Sequence, residues 1–275
     1  MKILHHLLLS ILSTSPFLWV TAKPLTVFFG TSGRGSEGIY QASFNPDNGK
    51  FTPAKLAAKI GSPGFLALHP NGKILYSVGR WEDGSGALGY HISKNGELEE
   101  FTRMICPDGG SAHIAVHPSG KFLLTAQYGG GSVALFPLDS SGKLGEPTVT
   151  EHQGGSKVVD RRQDSPHPHW TGFSPDGDYA LIPDLGLDQI VIYKVHSSKP
   201  AISPHGVGQS VPGGGPRHMR FSSDGRFIYL LNELSLSVTT FSWDAKKGTA
   251  KALSTTPAIS QEVKAGESFN SAAEI

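Results

Sequence analysis

Short apolar segments alternate with glycine-containing turns along most of the chain, and one such pattern occurs four times. Each copy has an apolar segment, a turn that ends in glycine and a second apolar segment. The copies occupy residues 66–72, 114–120, 171–177 and 219–225, and their glycines are 48, 57 and 48 residues apart. Glycine supplies the positive φ that a tight hairpin needs. The pattern therefore predicts a series of β-hairpins with a regular period.

A second set of turns keeps the same period in a different phase. These turns contain Gly49, Gly96, Gly142 and Gly248, with a degenerate copy at residues 197–200, and an apolar strand precedes each one. Each unit of about 50 residues then holds four short strands, which is typical of a β-propeller blade whose first strand lines the central channel. A β-sandwich is the alternative, but two independent turn phases that share one period favour the propeller.

The number of repeats predicts about five blades. Residues 23–275 form the predicted propeller domain, and residues 270–275 resemble the start of a further inner strand. A propeller that does not close leaves unpaired strand edges. We therefore expect this sequence to be a C-terminally truncated fragment that lacks roughly two blades. A complete five-bladed propeller is the alternative.

Residues 1–22 have the pattern of a secretory signal peptide. Lys2 precedes an apolar run, Pro16 interrupts that run, and small residues around Ala22 offer a cleavage site. The alternative is an uncleaved membrane anchor, for which the apolar run is short. No later segment is long and apolar enough to cross a membrane. We expect export to the periplasm or the extracellular space, with no membrane contact after cleavage.

Composition excludes several classes of function. The net charge of +1 gives no reason to expect nucleic acid as a partner. The single Cys106 excludes an internal disulfide, and we expect it to be a buried apolar side chain. His167 and His169 have no Cys or carboxylate cluster to complete a ligand set, so no metal is predicted. The glycine runs at 129–131 and 213–215 do not open helices, so no cofactor is predicted.

Two positions vary from repeat to repeat where the strands should stay alike. Five residues before each turn, the start of the inner strand carries Gly64, Ala112, His169 and Arg217 in turn. The corresponding positions at the other end of the hairpin carry Arg80, Tyr128, Leu185 and Glu233. The two ends of a hairpin meet, so Arg217 and Glu233 should lie in contact. Polar groups that converge on one side predict a functional mouth, and a structural ion pair is the alternative.

Two sequence segments around this mouth resemble those of a known protein family. The segment Gly215-Pro-Arg-His-Met219, followed by Asn232-Glu-Leu234, resembles the seven-bladed lactonase family. Its members include the propeller-type bacterial 6-phosphogluconolactonase and the fungal carboxy-cis,cis-muconate lactonising enzyme. The resemblance implies a catalytic histidine, arginine and glutamate at His169, Arg217 and Glu233. It also implies a second arginine, which would lie in a blade after Ile275.

The predicted function is hydrolysis of a lactone. A histidine titrates near neutrality and can activate water, and an arginine can stabilise an oxyanion or bind an anionic substituent. Glu233 could orient Arg217 or His169, or act as the base. His113, His218 and Asn232 are the predicted substrate-binding residues. His69 and His117 lie in the repeated turns and should be structural.

The resemblance favours 6-phosphogluconolactone in carbohydrate metabolism, although a signal peptide favours another sugar lactone or sugar acid as the partner. A muconate-type lactonising cycloisomerase is the alternative within the enzyme class. A non-catalytic exported binding propeller is the alternative from another class. The sequence leaves the oligomeric state open.

Overall fold

The computed structural model describes residues 23–266 and 271–275. The predicted signal peptide at residues 1–22, and Asn270 of the predicted further strand, lie outside these residues. Twenty strands and one short helix, α1 (Gln261–Gly266), make up the described secondary structure. The strands form five four-stranded sheets. This architecture confirms the prediction of an all-β protein built from repeated four-stranded blades.

The five sheets follow one another along the chain, and neighbouring strands within each sheet are antiparallel. The first contains β1 (Leu25–Phe29), β2 (Gly38–Asn45), β3 (Lys50–Phe51) and β4 (Lys55–Lys59). The second contains β5 (Leu66–Leu68), β6 (Ile74–Trp81), β7 (Gly84–Ile92) and β8 (Leu98–Ile105). The third contains β9 (Ser111–Val116), β10 (Phe122–Gln127), β11 (Ser132–Pro137) and β12 (Thr148–Glu151).

The last two sheets repeat the same order. The fourth contains β13 (Gly172–Phe173), β14 (Tyr179–Asp184), β15 (Gln189–His196) and β16 (Ala201–Gln209). The fifth contains β17 (Pro216–Phe221), β18 (Phe227–Asn232), β19 (Ser237–Asp244) and β20 (Thr249–Pro257). In sheets two to five the first strand is the innermost, and β5, β9 and β13 contact one another in series.

The first sheet departs from this plan. Its β2 precedes the turn at Gly49, so β2 corresponds to the third strand of the other sheets, and β1 corresponds to their second strand. β3 and β4 both pair with β2 and together take the place of one outer strand. Within the described residues, this sheet therefore has no counterpart of β5, and β1 pairs only with β2.

The apolar core lies between the sheets rather than inside a single one. Strand β10 shows the reason, because its residues alternate between two neighbours. Leu123 belongs to a cluster shared with the second sheet, whereas Phe122 and Leu124 belong to a cluster shared with the fourth. Four such clusters join the five sheets in order. Strands that are buried on both faces explain the near-continuous apolar segments of the sequence.

The glycine turns have the geometry that the repeats predict. Gly72, Gly120, Gly177 and Gly225 all have φ between 68° and 77°. These turns join the innermost strand of each sheet to the next strand, and they lie at one end of the strands, which we call the turn end. The opposite end, where β17 begins and β18 ends, is called the mouth.

Two histidines at the turn end connect successive sheets, which confirms their predicted structural role. His69 Nε2 lies 3.1 Å from the carbonyl oxygen of Gly120, and His117 Nε2 lies 3.0 Å from that of Gly177. In each histidine Nδ1 accepts a hydrogen bond from the backbone N–H two residues later. Because Nδ1 is the acceptor, Nε2 carries the proton and donates it to the next sheet.

Candidate functional site

Arg217 and Glu233 meet at the mouth, as the hairpin predicts. Pro216 pairs with Asn232, and the register shifts between Pro216 and His218, so Arg217 is the extra residue of a β-bulge. Its Nε donates to Glu233 Oε2 at 3.0 Å. The backbone N–H of Glu233 donates to the Gly215 carbonyl at 2.8 Å and fixes the start of the acidic side chain. Both side chains are largely buried, at 21% and 11% exposure.

A second arginine, which the sequence did not predict, binds the same carboxylate. Arg162 Nη2 donates to Glu233 Oε1 at 2.7 Å, so each carboxylate oxygen accepts a bond from a different guanidinium. The hydrogen bond to Glu233 raises the pKa of Arg162 further. Arg162 also interacts with the side chain of Tyr128. Two arginines and one carboxylate leave one surplus positive charge in this cluster.

A buried carboxylate in the fourth sheet positions both arginines. Asp188 accepts hydrogen bonds from the backbone N–H groups of Gly213 and Gly215, at 2.7 and 2.9 Å, and these glycines lie shortly before Arg217 in the chain. Gln163, the neighbour of Arg162, donates to Asp188 at 2.6 Å and to the Leu185 carbonyl at 2.8 Å. One acid therefore ties down the two segments that carry Arg162 and Arg217.

His169 stands beside the arginine cluster. Its ring contacts the rings of Tyr128 and His218, with centroids 5.1 and 5.4 Å away. Burial and, after it, the positive charge of Arg217 lower the pKa of His169 to about 4. The imidazole is therefore neutral near pH 7. Its Nδ1 is buried and has no hydrogen-bond partner within the described part of the chain.

A second buried acid holds the segment that carries His169. Asp184 accepts bonds from the backbone N–H of His167 at 2.8 Å and from that of Gly186 at 2.9 Å. Its other oxygen lies 2.6 Å from Nδ1 of the buried His152. The backbone N–H of His169 donates to the Pro183 carbonyl at 3.0 Å. His169 thus starts from a well-fixed backbone.

The predicted substrate-binding residues lie in different surroundings. His113 is buried against Phe65, with ring centroids 3.8 Å apart, and burial holds its pKa well below the usual range. His218 lies between His113 and His169, and burial lowers its pKa, although Nδ1 is 2.7 Å from the Glu274 carboxylate.

Asn232 is fully buried and is hydrogen-bonded both within its own sheet and to Ser210, which follows β16 of the fourth sheet. Its amide nitrogen donates to Ser237 and Thr239, at 3.1 and 2.9 Å, and its oxygen accepts from Ser210 at 2.9 Å. These bonds fix the end of β18 immediately before Glu233. Its predicted contact with a substrate stays a prediction.

Residues 271–275 reach the mouth, although the structure assigns no strand to them where the sequence predicts the start of one. Arg217 Nη1 donates to the carbonyl oxygen of Ala273. The Glu274 carboxylate contacts His218 and also Arg220, the latter at 3.0 Å.

Below the mouth, a cavity of about 480 Å³ lies along the inner strands, lined by side chains that include Phe65, His113 and Trp170.

The arrangement offers three chemical capacities in one place. A neutral imidazole can accept a proton, guanidinium groups can bind an oxyanion, and a carboxylate can orient either of them. Within the described ranges, no group of three or more His, Cys, Asp or Glu side chains is placed to hold a metal ion. Cys106 is buried and free, as predicted, and burial raises the pKa of its thiol.

Comparison with known proteins identifies the family of this chain. The family model described as lactonase, 7-bladed beta-propeller, matches residues 26–275. The chain belongs to this family. A 6-phosphogluconolactonase of Bacillus subtilis is 33% identical over 226 residues, which are 82% of this chain and 64% of that protein. A 6-phosphogluconolactonase of Formosa agariphila is 32% identical over 77% of this lactonase-family chain and 62% of its own length.

Solved structures show the same likeness. A putative 6-phosphogluconolactonase from Bacteroides fragilis has a TM-score of 0.79 and 30% identity, over 86% of this chain and 68% of its own. A periplasmic gluconolactonase from Pseudomonas aeruginosa has a TM-score of 0.77 and 30% identity, over 87% of this chain and 69% of its own. This lactonase-family chain therefore spans about two thirds of the length of the proteins that it matches.

Among the described residues, no helix has the length and apolar character of a membrane span. The resemblance to the lactonase family, predicted from the Gly-Pro-Arg-His and Asn-Glu-Leu segments, is confirmed over residues 26–275. The roles of the individual site residues stay predictions.

Proposed function

We propose that the protein is a lactone hydrolase that opens the ring of a sugar lactone. The observation that carries this proposal is the cluster in which His169 stands beside Arg217 and Glu233, with Arg162 on the same carboxylate. Membership of the lactonase family and the names of the relatives support it further. The sugar lactone is the small-molecule partner in this proposal.

In the proposed reaction His169 is the base. The neutral imidazole accepts a proton from water as the water oxygen attacks the lactone carbonyl carbon. Arg217 stabilises the oxyanion that forms, because a guanidinium keeps its charge and donates in a fixed geometry. The ring carbon–oxygen bond then breaks, and the imidazolium returns its proton to the departing alkoxide. Glu233 orients both arginines throughout.

The remaining predicted residues take supporting roles. We infer that His113 and His218 line the substrate-binding wall next to His169, since their rings form one contiguous set with it. The amide of Asn232 is engaged by Ser210, Ser237 and Thr239, which favours a role in positioning Glu233 over direct contact with the substrate.

The test is to incubate the purified protein with glucono-1,5-lactone and with its 6-phosphate. Hydrolysis is measured by the protons that the acid product releases. We expect activity on at least one of them and its loss in the variants His169→Ala, Arg217→Ala and Glu233→Gln. A protein that binds sugar acids but opens neither lactone would instead fit the exported binding propeller. Formation of a lactone from a muconate, without sugar lactone hydrolysis, would fit the cycloisomerase.

We also propose that the protein acts outside the cytoplasm. The pattern of residues 1–22 supports this, and so does the similarity to a periplasmic enzyme. Expression of the full sequence in a bacterium, followed by fractionation and mass measurement, provides the test. A cytoplasmic product that retains Met1 would contradict the proposal.

A further inference from the structure

Arg162 is the more accessible of the two arginines on Glu233. Its side chain is 38% exposed, against 21% for Arg217, which also donates to the Ala273 carbonyl. The single carboxylate neutralises one of the two guanidinium groups, so the cluster keeps a surplus positive charge. His169 is neutral near pH 7 and adds none. A negatively charged ligand at the mouth is therefore favoured on electrostatic grounds.

Arg162 also has hydrogen-bond donors to spare. A guanidinium carries five N–H donors in a planar fork, and one of the two Nη2 donors is used on Glu233. Tyr128 provides a further contact, and its ring also touches His169. The remaining donors suit the paired oxygens of a phosphate or carboxylate, which arginine binds in a bidentate manner.

The backbone of Arg162 is held in place before any ligand binds. Its N–H donates to the Val159 carbonyl at 3.2 Å, and the N–H of Val159 donates to the Gln163 side chain at 3.0 Å. Gln163 is fully buried and is anchored to Asp188 and Leu185. A side chain on a fixed backbone loses less conformational entropy on binding, which makes Arg162 suited to recognition.

The adjacent Arg161 lacks all of these features. Its side chain is 90% exposed, and it pairs with Asp160 at 3.5 Å. The two neighbouring arginines carry the same charge, but only Arg162 contacts the mouth cluster. This difference argues against a general attraction of anions by the loop, and it supplies a matched control.

We propose that Arg162 binds an anionic substituent of the substrate, remote from the lactone carbonyl, and so determines which lactones the protein accepts. The substituent is an oxyanion, either a phosphate or a carboxylate. Arg217, which is less exposed, then binds the carbonyl oxygen with the N–H donors that Glu233 and Ala273 leave over. This inference rests on the proposed lactonase function for its choice of substrate class, but its test measures binding alone.

The test compares three open-chain acids by calorimetric titration of the protein. Gluconate 6-phosphate, glucarate and gluconate differ only in the group at carbon six, which is a phosphate, a carboxylate or a hydroxyl. For Arg162→Ala we expect about a tenfold or larger loss of affinity for an acid with a charged group there. Gluconate should change less than twofold, and Arg161→Ala should leave all three unchanged. The acid that loses more affinity identifies the preferred substituent.

Other outcomes would overturn the inference. An equal loss for all three acids in Arg162→Ala would mean that Arg162 acts only by positioning Glu233. No loss, or no binding of the charged acids by the unmodified protein, would refute the anion site directly. Should Arg162→Ala fail to fold, Arg162→Lys retains the charge without the planar fork, and we expect a smaller loss that still spares gluconate. Binding that follows our expectation without any lactone hydrolysis would refute the proposed function alone.

Discussion

The mouth and the turn end of the same strands are built by opposite rules. At the turn end the repeated glycine positions keep similar φ angles, and His69 and His117 make the same bond to the next sheet. At the mouth the aligned positions all differ, and two of them, Arg217 and Glu233, meet in a single cluster with Arg162. The comparison teaches that repetition in a propeller reveals the framework, whereas departures from repetition reveal the site.

The largest expected effect comes from the mouth. Replacement of Arg217 by Ala should lower kcat/KM for the sugar lactone by about 10²- to 10³-fold, because an oxyanion donor is lost. Arg226→Ala is the matched control at the turn end of the same sheet, where the arginine is exposed and pairs with Asp224. It should change kcat/KM less than twofold. Steady-state kinetics of both variants decide this, and comparable losses would remove the distinction between the two ends.

A second expected effect concerns stability at the mouth. Asp188→Ala should lower the free energy of unfolding by about 3 kcal/mol or more, because two buried N–H donors and one half-buried N–H donor lose their acceptor. Asp139 also accepts three hydrogen bonds, but it is exposed at the turn end. Asp139→Ala should therefore cost less. Denaturant unfolding measures the free energy of unfolding of both variants. A larger loss for Asp139→Ala would contradict the structural importance of Asp188.

The hydrogen bonds of His69 and His117 at the turn end should contribute to stability but not to activity. His117 is buried and stacks on Phe122, with ring centroids 4.5 Å apart. His117→Ala should destabilise the fold by about 2 kcal/mol through the lost link and the cavity. His69 is less buried, so His69→Ala should cost less. Both variants should keep kcat/KM, and a selective kinetic defect in either would show that the two ends are coupled.

The smallest expected effect is a response to pH. Because the pKa of His169 is lowered to about 4, nearly all of this residue stays neutral at pH 5, and kcat/KM should decline only slightly between pH 7 and pH 5. A pH–rate profile that falls by half near pH 6.5 would contradict the lowered pKa of His169.

Stability should follow the same group. An unfolded histidine takes up its proton near pH 6.5, whereas folded His169 resists it until about pH 4. The unfolded state therefore binds more protons in this window, and the free energy of unfolding should fall as the pH is lowered through it. Denaturant unfolding of the protein and of His169→Phe should show a shallower dependence on pH in the variant.

Much of the fold could be predicted because its signals are local. Each hairpin needs a glycine at one turn position, and the period of those glycines counts the sheets. The contact of Arg217 with Glu233 was also predictable, since antiparallel pairing brings two positions 16 residues apart together. The arrangement of the first sheet was harder to predict, because the sequence of β1 and β2 is that of an ordinary hairpin. Only the position of the turn at Gly49 shows that, within the described residues, this sheet has no counterpart of β5.

The rest of the site depends on contacts that the sequence repeat does not predict. Arg162 lies in an irregular loop, and 71 residues separate it from Glu233. Asp188 is one of several acids in turn-like segments, and nothing in the sequence distinguishes it from the exposed Asp139. Its importance comes from burial and from the Gly213 and Gly215 amides that converge on it. A signal was nevertheless present, because Arg161 and Arg162 lie only a few residues before the His167–His169 segment.

The hydrogen bonds of His69 and His117 also bear on the order in which the sheets form during synthesis. His69 precedes the carbonyl group that it binds by 51 residues, and His117 precedes its acceptor by 60. On the ribosome, each donor is therefore synthesised before its acceptor, so the third and the fourth sheet each find a histidine donor already present on the sheet made just before them. These two links allow the third and fourth sheets to be added during translation to the end of the sheets already formed.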